Sequence, residues 1–186
     1  PVSKELSAPV RDGQGGDSKS RHVSAYELHA VDFGSTADKV FGSLARHPFV
    51  AGEFVWTGFD YRGEPTPYGW PCISSHFGIM DACGFPKNNY YYYKAWWSDE
   101  PVLQISPHWN LDRLDGDTVE VWCNTNCERV ELFLNGKSLG TKSTPPNSHL
   151  EWAVPYRKGV LEARGERHGK SYSTKVETTG PPDSAL

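Results

Sequence analysis

From residue 102 onward the chain is written in short runs in which apolar and polar residues alternate. A period of two is the period of a strand, because successive side chains leave a strand on opposite faces. VLQIS, DTVEVWCNT, RVELFLNGKSLG, HLEWAVP, KGVLEARGER and KSYSTKVETTG follow one another with turn residues between them. Within the third run, Asn135-Gly136 separates Phe133-Leu134 from Lys137-Ser138-Leu139, and such a pair supplies the positive φ angles of a type I′ hairpin turn. Short, evenly spaced strands bury one face each by stacking two sheets, so the pattern predicts a β-sandwich of roughly seven strands over residues 105–179. Alternation places Trp122 and Cys123 on opposite faces of one strand. Cysteine is the more often buried of the two, which leaves Trp122 either open or covered by the part of the chain before residue 101.

That earlier part follows a different rhythm. Residues 1–20 read as a polar, glycine-bearing loop, and residues 22–33 as a short strand or irregular segment. Ser35 caps an expected helix running to residue 46, with Asp38 in its first turn and Val40, Phe41, Leu44 and Ala45 on one face; Pro48 stops it. Residues 49–60 read as a buried parallel strand, the stretch to residue 79 as a loop, and residues 86–97 as a helix with Pro86 at its first position. Tyr90, Tyr93, Ala95 and Trp97 are placed to pack along that helix. Helix, strand, loop and helix in this order is the succession of an α/β layer.

The loop after the expected strand carries the chemistry. In AGEFVWTGFDYRGEPTPYG, the strand exit sets Trp56 beside Asp60, Tyr61 and Glu64. A sugar ring has an apolar C–H face that stacks on an indole and hydroxyls that need acceptors, so this mixture suits a carbohydrate. For Trp56 alone, ordinary core packing is the competing reading. Asp60 and Glu64 either accept from sugar hydroxyls or hold the loop through backbone N–H groups.

GEFVWTGFDYRGEPTPYGWP followed by SSHFGIMDACGFPKNNYYYYKAWW resembles the last strand, loop and helix of the catalytic barrel in glycoside hydrolase family 2, the β-galactosidase-like enzymes. ELFLNGKSLG is similar to a recurring hairpin of the immunoglobulin-like module that follows the barrel in many of them. The resemblance implies α/β followed by all-β: the last βα unit or units of an incomplete TIM barrel over residues 1–100, an immunoglobulin-like β-sandwich over 101–180, and a tail or linker over 181–186. A complete eight-unit barrel needs about 250 residues, so residues 1–100 do not close one by themselves.

Family 2 enzymes hydrolyse β-glycosides with retention, using two carboxylates about 5–5.5 Å apart. In the family pattern both are glutamates on earlier strands, which implies that they lie upstream of Pro1, that this chain supplies no catalytic residue, and that alone it is inactive. What it is expected to supply is substrate contact: Trp56 beneath the sugar, with Asp60, Glu64 and His76. Glu53, at the start of the expected strand, reads as an ion pair or cap. β-Glucuronidases of the family carry an Asn-x-Lys motif before the glycine matched here to Gly78, and this chain has Ser75, His76 and Phe77 instead. A neutral β-galactoside or related oligosaccharide is therefore the expected substrate. The remainder of the barrel, in the same parent chain or a companion chain, is the expected partner.

Composition narrows the rest. A net charge of -4 argues against nucleic acid, and no apolar run reaches the ~20 residues of a membrane span. PVSKELSAPVRDGQGG has neither the charged start nor the apolar middle of a signal peptide; the resemblance implies a periplasmic or secreted setting. Cys72, Cys83, Cys123 and Cys127 form no paired C-x-x-C knuckles. They read as free core or turn thiols, with a disulfide left open, and no metal or cofactor is expected. The competing reading from another class is a non-catalytic carbohydrate-binding or structural sandwich presenting Trp109, Trp122 and Trp152 as a surface platform; a receptor-type sandwich accounts only for residues 101–180.

A polypeptide beginning at Pro101 should fold by itself. Its urea unfolding should be a single cooperative transition, and a gradual, non-cooperative loss of signal would move the boundary.

Overall fold

The computed structural model describes residues 16–17, 22–23, 35–65, 68–111 and 115–180. The other parts of the loop expected over residues 1–20, of the segment 22–33, and of the tail 181–186 lie outside the described residues. Near the start, β1 (Gly16–Asp17) pairs antiparallel with β2 (His22–Val23). Two helices follow, α1 (Ala37–Arg46) and α2 (Asn88–Trp97).

Seven strands complete the chain: β3 (Leu103–Ser106), β4 (Thr118–Thr125), β5 (Arg129–Leu134), β6 (Lys137–Ser143), β7 (Leu150–Pro155), β8 (Val160–Arg167) and β9 (Lys170–Glu177). They form a three-stranded sheet, β3-β4-β7, and a four-stranded sheet, β6-β5-β8-β9, with every pairing antiparallel. This is the sandwich that the alternation predicts. Val119, Val121 and Cys123 of β4 share one core with Val130 and Leu132 of β5 and Leu161 and Ala163 of β8. Cys123 and Cys127 are free, buried thiols, and burial pushes the Cys123 thiol up to about 12.

The turns do as their residues require. Asn135 and Gly136 have φ of 50° and 79°, the left-handed values of the type I′ hairpin. The Asn135 side chain also ties the neighbouring β7–β8 connection, donating to the Lys158 carbonyl at 2.9 Å and accepting from the Val160 N–H at 2.8 Å. His168 and Gly169, with φ of 48° and 73°, turn β8 into β9 in the same way.

Two of the three tryptophans expected as a surface platform are core residues. Trp109 is fully buried, and its indole N–H is satisfied by the Arg157 carbonyl at 2.9 Å. Trp152 alternates inward with Leu150 and Val154 on β7 and is 5% exposed. Trp122 is half-buried, because its ring stacks on His149 with centroids 3.9 Å apart.

The helices differ from expectation at their starts. Thr36, not Ser35, occupies the N-cap of α1. In α2 the cap is Lys87 and the first residue Asn88, because Pro86 bridges Met80 and the Lys87 N–H donates to the Ile79 carbonyl at 3.1 Å, which keeps both extended. The inner face of α2 is Tyr92 and Ala95, whereas Trp97 is 58% exposed. The larger departure lies between the helices. Residues 49–60 form no strand; Phe59 makes one parallel bridge to Met80, and Phe54 is wholly exposed. A parallel strand needs neighbours on its edges and cover on both faces, and among the described residues no strand runs beside this stretch.

Side chains of both helices reach the sandwich. Phe41 of α1 packs against Tyr92, Tyr93 and Trp97 of α2 at centroid distances of 5.8, 6.0 and 6.1 Å. Tyr92 and Trp96 then donate to the carbonyls of Asn147 and Ser148 at 2.6 and 3.1 Å. Next in sequence, His149 bridges Asp38 of α1 at 2.7 Å and Glu151 of β7 at 2.8 Å, with its side chain only 7% exposed. Burial opposes charge on the imidazole, but the two carboxylates outweigh it and push its pKa up to about 9 from 6.5.

A pKa raised on folding stabilises while the group is charged. The contribution is complete below pH 6.5 and disappears as pH rises through about 9. It is on the order of 3 kcal/mol at about 1.4 kcal/mol per unit. The melting temperature should therefore fall between about pH 6 and pH 10, and His149→Gln should flatten that slope; parallel slopes in the two proteins would refute the assignment.

Candidate functional site

The loop leaving Trp56 folds back on the segment that leads to α2. The Ile79 and Met80 N–H groups donate to the carbonyls of Thr57 and Gly58 at 2.9 and 3.0 Å, and the Asp60 N–H donates to Met80 at 2.9 Å. Farther along, the N–H groups of Gly63 and Ser75 donate to the carbonyls of Ile73 and Tyr61 at 2.9 and 2.8 Å. The Tyr61 N–H is taken up by the buried Ser75 hydroxyl at 3.0 Å. These crossings demand a glycine at 78. A Cβ there would sit 2.2 Å from the Asp60 nitrogen and 2.6 Å from the Met80 oxygen, which is repulsive overlap.

Of the four side chains expected to meet a substrate, two gather at the open side. Trp56 is 72% exposed, and its peptide bond to Thr57 is cis. Its indole N–H donates to the Tyr61 hydroxyl at 3.2 Å, with the two rings edge to face, 6.2 Å apart. The Tyr61 hydroxyl in turn donates to Glu64. That bond raises the phenol's pKa, aided by a small burial effect, so Tyr61 stays protonated and keeps its donor. The result is an open indole face edged by a phenol and a carboxylate.

The other two lie behind it. Asp60 spends both oxygens inside the fold, one accepting the Gly78 N–H at 2.8 Å and the other paired with Lys87 at 2.7 Å. His76 packs edge to face against Tyr68 at 4.9 Å, with Nε2 3.1 Å from the Cys72 sulfur. Burial lowers its pKa; the opposing pull of Asp60 is smaller, and Lys87 offsets part of it. A neutral imidazole is the consequence near pH 7. The His76 carbonyl accepts from Lys87 Nζ at 2.9 Å, so Lys87 joins Asp60 to His76 as Tyr61 joins Trp56 to Glu64.

Lys87 escaped sequence reasoning, since nothing in GFPKNN points back to Asp60. Glu53, read as an ion pair or cap, lies on the irregular stretch 51–57 and is half-buried. No helix among the described residues is long and apolar enough to cross a membrane.

A family model described as a domain of unknown function (DUF4982) matches residues 116–173. The chain is 43% identical over 162 residues to Beta-galactosidase BoGH2A of Bacteroides ovatus, covering 86% of this chain and 19% of that protein. It is 37% identical over 175 residues to a putative beta-glucuronidase of Formosa agariphila, covering 90% and 17%. Among solved structures, a beta-glycosidase from Bacteroides vulgatus matches with a TM-score of 0.78 and 36% identity over 88% of this chain and 20% of that one. A glycosyl hydrolase family 2 member from Bacteroides cellulosilyticus matches with a TM-score of 0.66 and 28% identity over 78% and 24%. The chain thus spans about a fifth of the length of the curated relatives it matches.

Gly78→Ala should destabilise this region by about 1–3 kcal/mol, the usual cost of forcing atoms into filled space. Hydrogen exchange should show the loss at the amides of residues 57–63 and 78–80; unchanged exchange there would contradict the close crossing.

Proposed function

We propose that this chain, which is similar over most of its length to glycoside hydrolase family 2 enzymes, is the C-terminal end of the catalytic barrel of a retaining β-glycosidase of that family together with the β-sandwich that follows it. The observation that carries this reading is the open indole of Trp56 edged by Tyr61 and Glu64. The apolar face of a pyranose stacks on the indole, and Glu64 accepts from its hydroxyls. Asp60 and His76 contribute from behind by fixing the loop.

Two further features support it. Among the described residues, the large apolar side chains left open all fall between residues 49 and 97, Phe49, Phe54 and Trp70 being the most exposed. A contiguous apolar surface marks an interface, and the remainder of the barrel is the partner that completes it. The two glutamates of the reaction belong to that remainder, one protonating the leaving oxygen and the other forming the glycosyl-enzyme bond. This chain holds the sugar for them.

The charge of the pocket edge favours a neutral sugar. Glu64 is a carboxylate beside the platform, and residues 75–77 bring no cation. A uronate carboxylate would meet like charge there, whereas galactose offers hydroxyl donors. A terminal β-linked galactoside is the substrate proposed.

In the enzyme that contains this chain, Trp56→Ala should lower kcat/KM on a chromogenic β-galactoside by roughly 30-fold, the effect of losing about 2 kcal/mol at an aromatic anchor. The isolated chain should show no turnover. Turnover by this chain alone that depends on Glu53 or Glu64 would sink the assignment, and a faster β-glucuronide than β-galactoside would sink the neutral-sugar preference.

A further inference from the structure

We propose that the β-sandwich positions the sugar-facing loop, and that Lys87 is the positioning residue through which it does so. The role rests on Trp56 being the sugar platform proposed above. Residues 56–64 contain no helix and no extended ladder, so their shape depends on the cross-links that reach them from outside.

Most of them come from residues 73–80, and the one made by Lys87 leads on to the three-stranded sheet. Asn124 of β4, 5% exposed, donates to the Asn88 carbonyl at 3.1 Å and to Gln104 Oε1 at 3.2 Å. Gln104 of β3 donates to Asn88 Oδ1 at 3.0 Å. The sheet therefore grips the first residue of α2 by its main chain and its side chain together.

Lys87 stands one residue back and carries the grip into the loop. Its N–H donates to the Ile79 carbonyl at 3.1 Å, and the Ile79 N–H donates to Thr57, the residue after Trp56, at 2.9 Å. Its ammonium group holds Asp60 Oδ2 at 2.7 Å and the His76 carbonyl at 2.9 Å. Asp60 precedes Tyr61, and with the lysine 21% and the aspartate 10% exposed the pair is largely screened from solvent. A partly buried charge pair is directional: removing one member leaves the other unpaired, and the segment holding it moves. Displacing Asn88 from the sheet would thus be felt at Trp56 and Tyr61 by way of Lys87.

Lys87→Met keeps the length of the side chain and removes its charge and donors; Asn124→Ala removes the sheet's hold on the Asn88 carbonyl without touching the loop. Hydrogen exchange of the full chain should rise by about 10-fold or more at residues 57–63 in Lys87→Met, as expected from losing a charge-assisted hydrogen bond. Asn124→Ala should raise the same amides by less. In both, β5 and β8 should exchange as before, and Lys87→Arg should restore protection. In the enzyme containing this chain, KM for the β-galactoside should rise in Lys87→Met and Asn124→Ala and return in Lys87→Arg. Unchanged exchange at 57–63, or a general loss of melting temperature with KM unaltered, would overturn the proposal. Loosened loop amides alongside a Trp56→Ala enzyme of normal KM would overturn the platform reading and leave the Lys87 link standing.

Discussion

A buried charge, more than apolar contact, fixes how the two parts of the chain meet. His149, just before β7, stands between a carboxylate on α1 and one on β7, with the Trp122 ring on its face. Apolar contacts such as Phe41 against Tyr92 and Trp97 tolerate sliding, because dispersion has little direction. An imidazolium with two fixed acceptors does not. Besides the stability it contributes while charged, such an ion pair selects one arrangement. The docking of α1 and α2 places Asn88 where the sheet can hold it.

The sandwich was legible in the sequence because everything that specifies it is local. Alternation gave the seven strands, the Asn135-Gly136 pair gave the turn, and the Trp122/Cys123 contrast gave the inward face of β4. The same local reading failed at residues 49–60, where β-branched and aromatic content looks like a strand but a strand exists only with a neighbour to pair with. Trp109 and Trp152 were equally out of reach as surface residues, since burial depends on where the indole finds a partner or which way a strand faces. At the site, the residue types were readable and their connections were not. Trp56, Tyr61 and Glu64 lie within one loop and share contacts, whereas the partnership of Asp60 with Lys87 comes from the folding back of the chain at Gly78.

The sandwich and the loop segment are built on different principles. The sandwich pairs its main chain in two ladders and buries an apolar core, including two thiols whose pKa burial raises. The segment from 49 to 80 has isolated bridges and open aromatic side chains instead, and takes its shape from the crossings between residues 57–63 and 73–80 together with the Lys87 link. A rigid body carrying a loosely self-supported loop suits a binding surface, because the loop can be shaped by its contacts while its foundation stays fixed.

The edges of the four-stranded sheet have a consequence for how this chain behaves in a crowd of its copies. Its outer strands, β6 and β9, carry Lys137, Lys142, Lys170 and Lys175, and lysines along an edge discourage another strand from adding by main-chain hydrogen bonds. Self-association is thereby turned away from the open-ended, ribbon-like growth that sheet edges template. Among the described residues, the open large apolar side chains lie instead on the stretch from 49 to 97. Clusters formed there would be amorphous and reversible, dissolving when a complementary surface competes for the same rings.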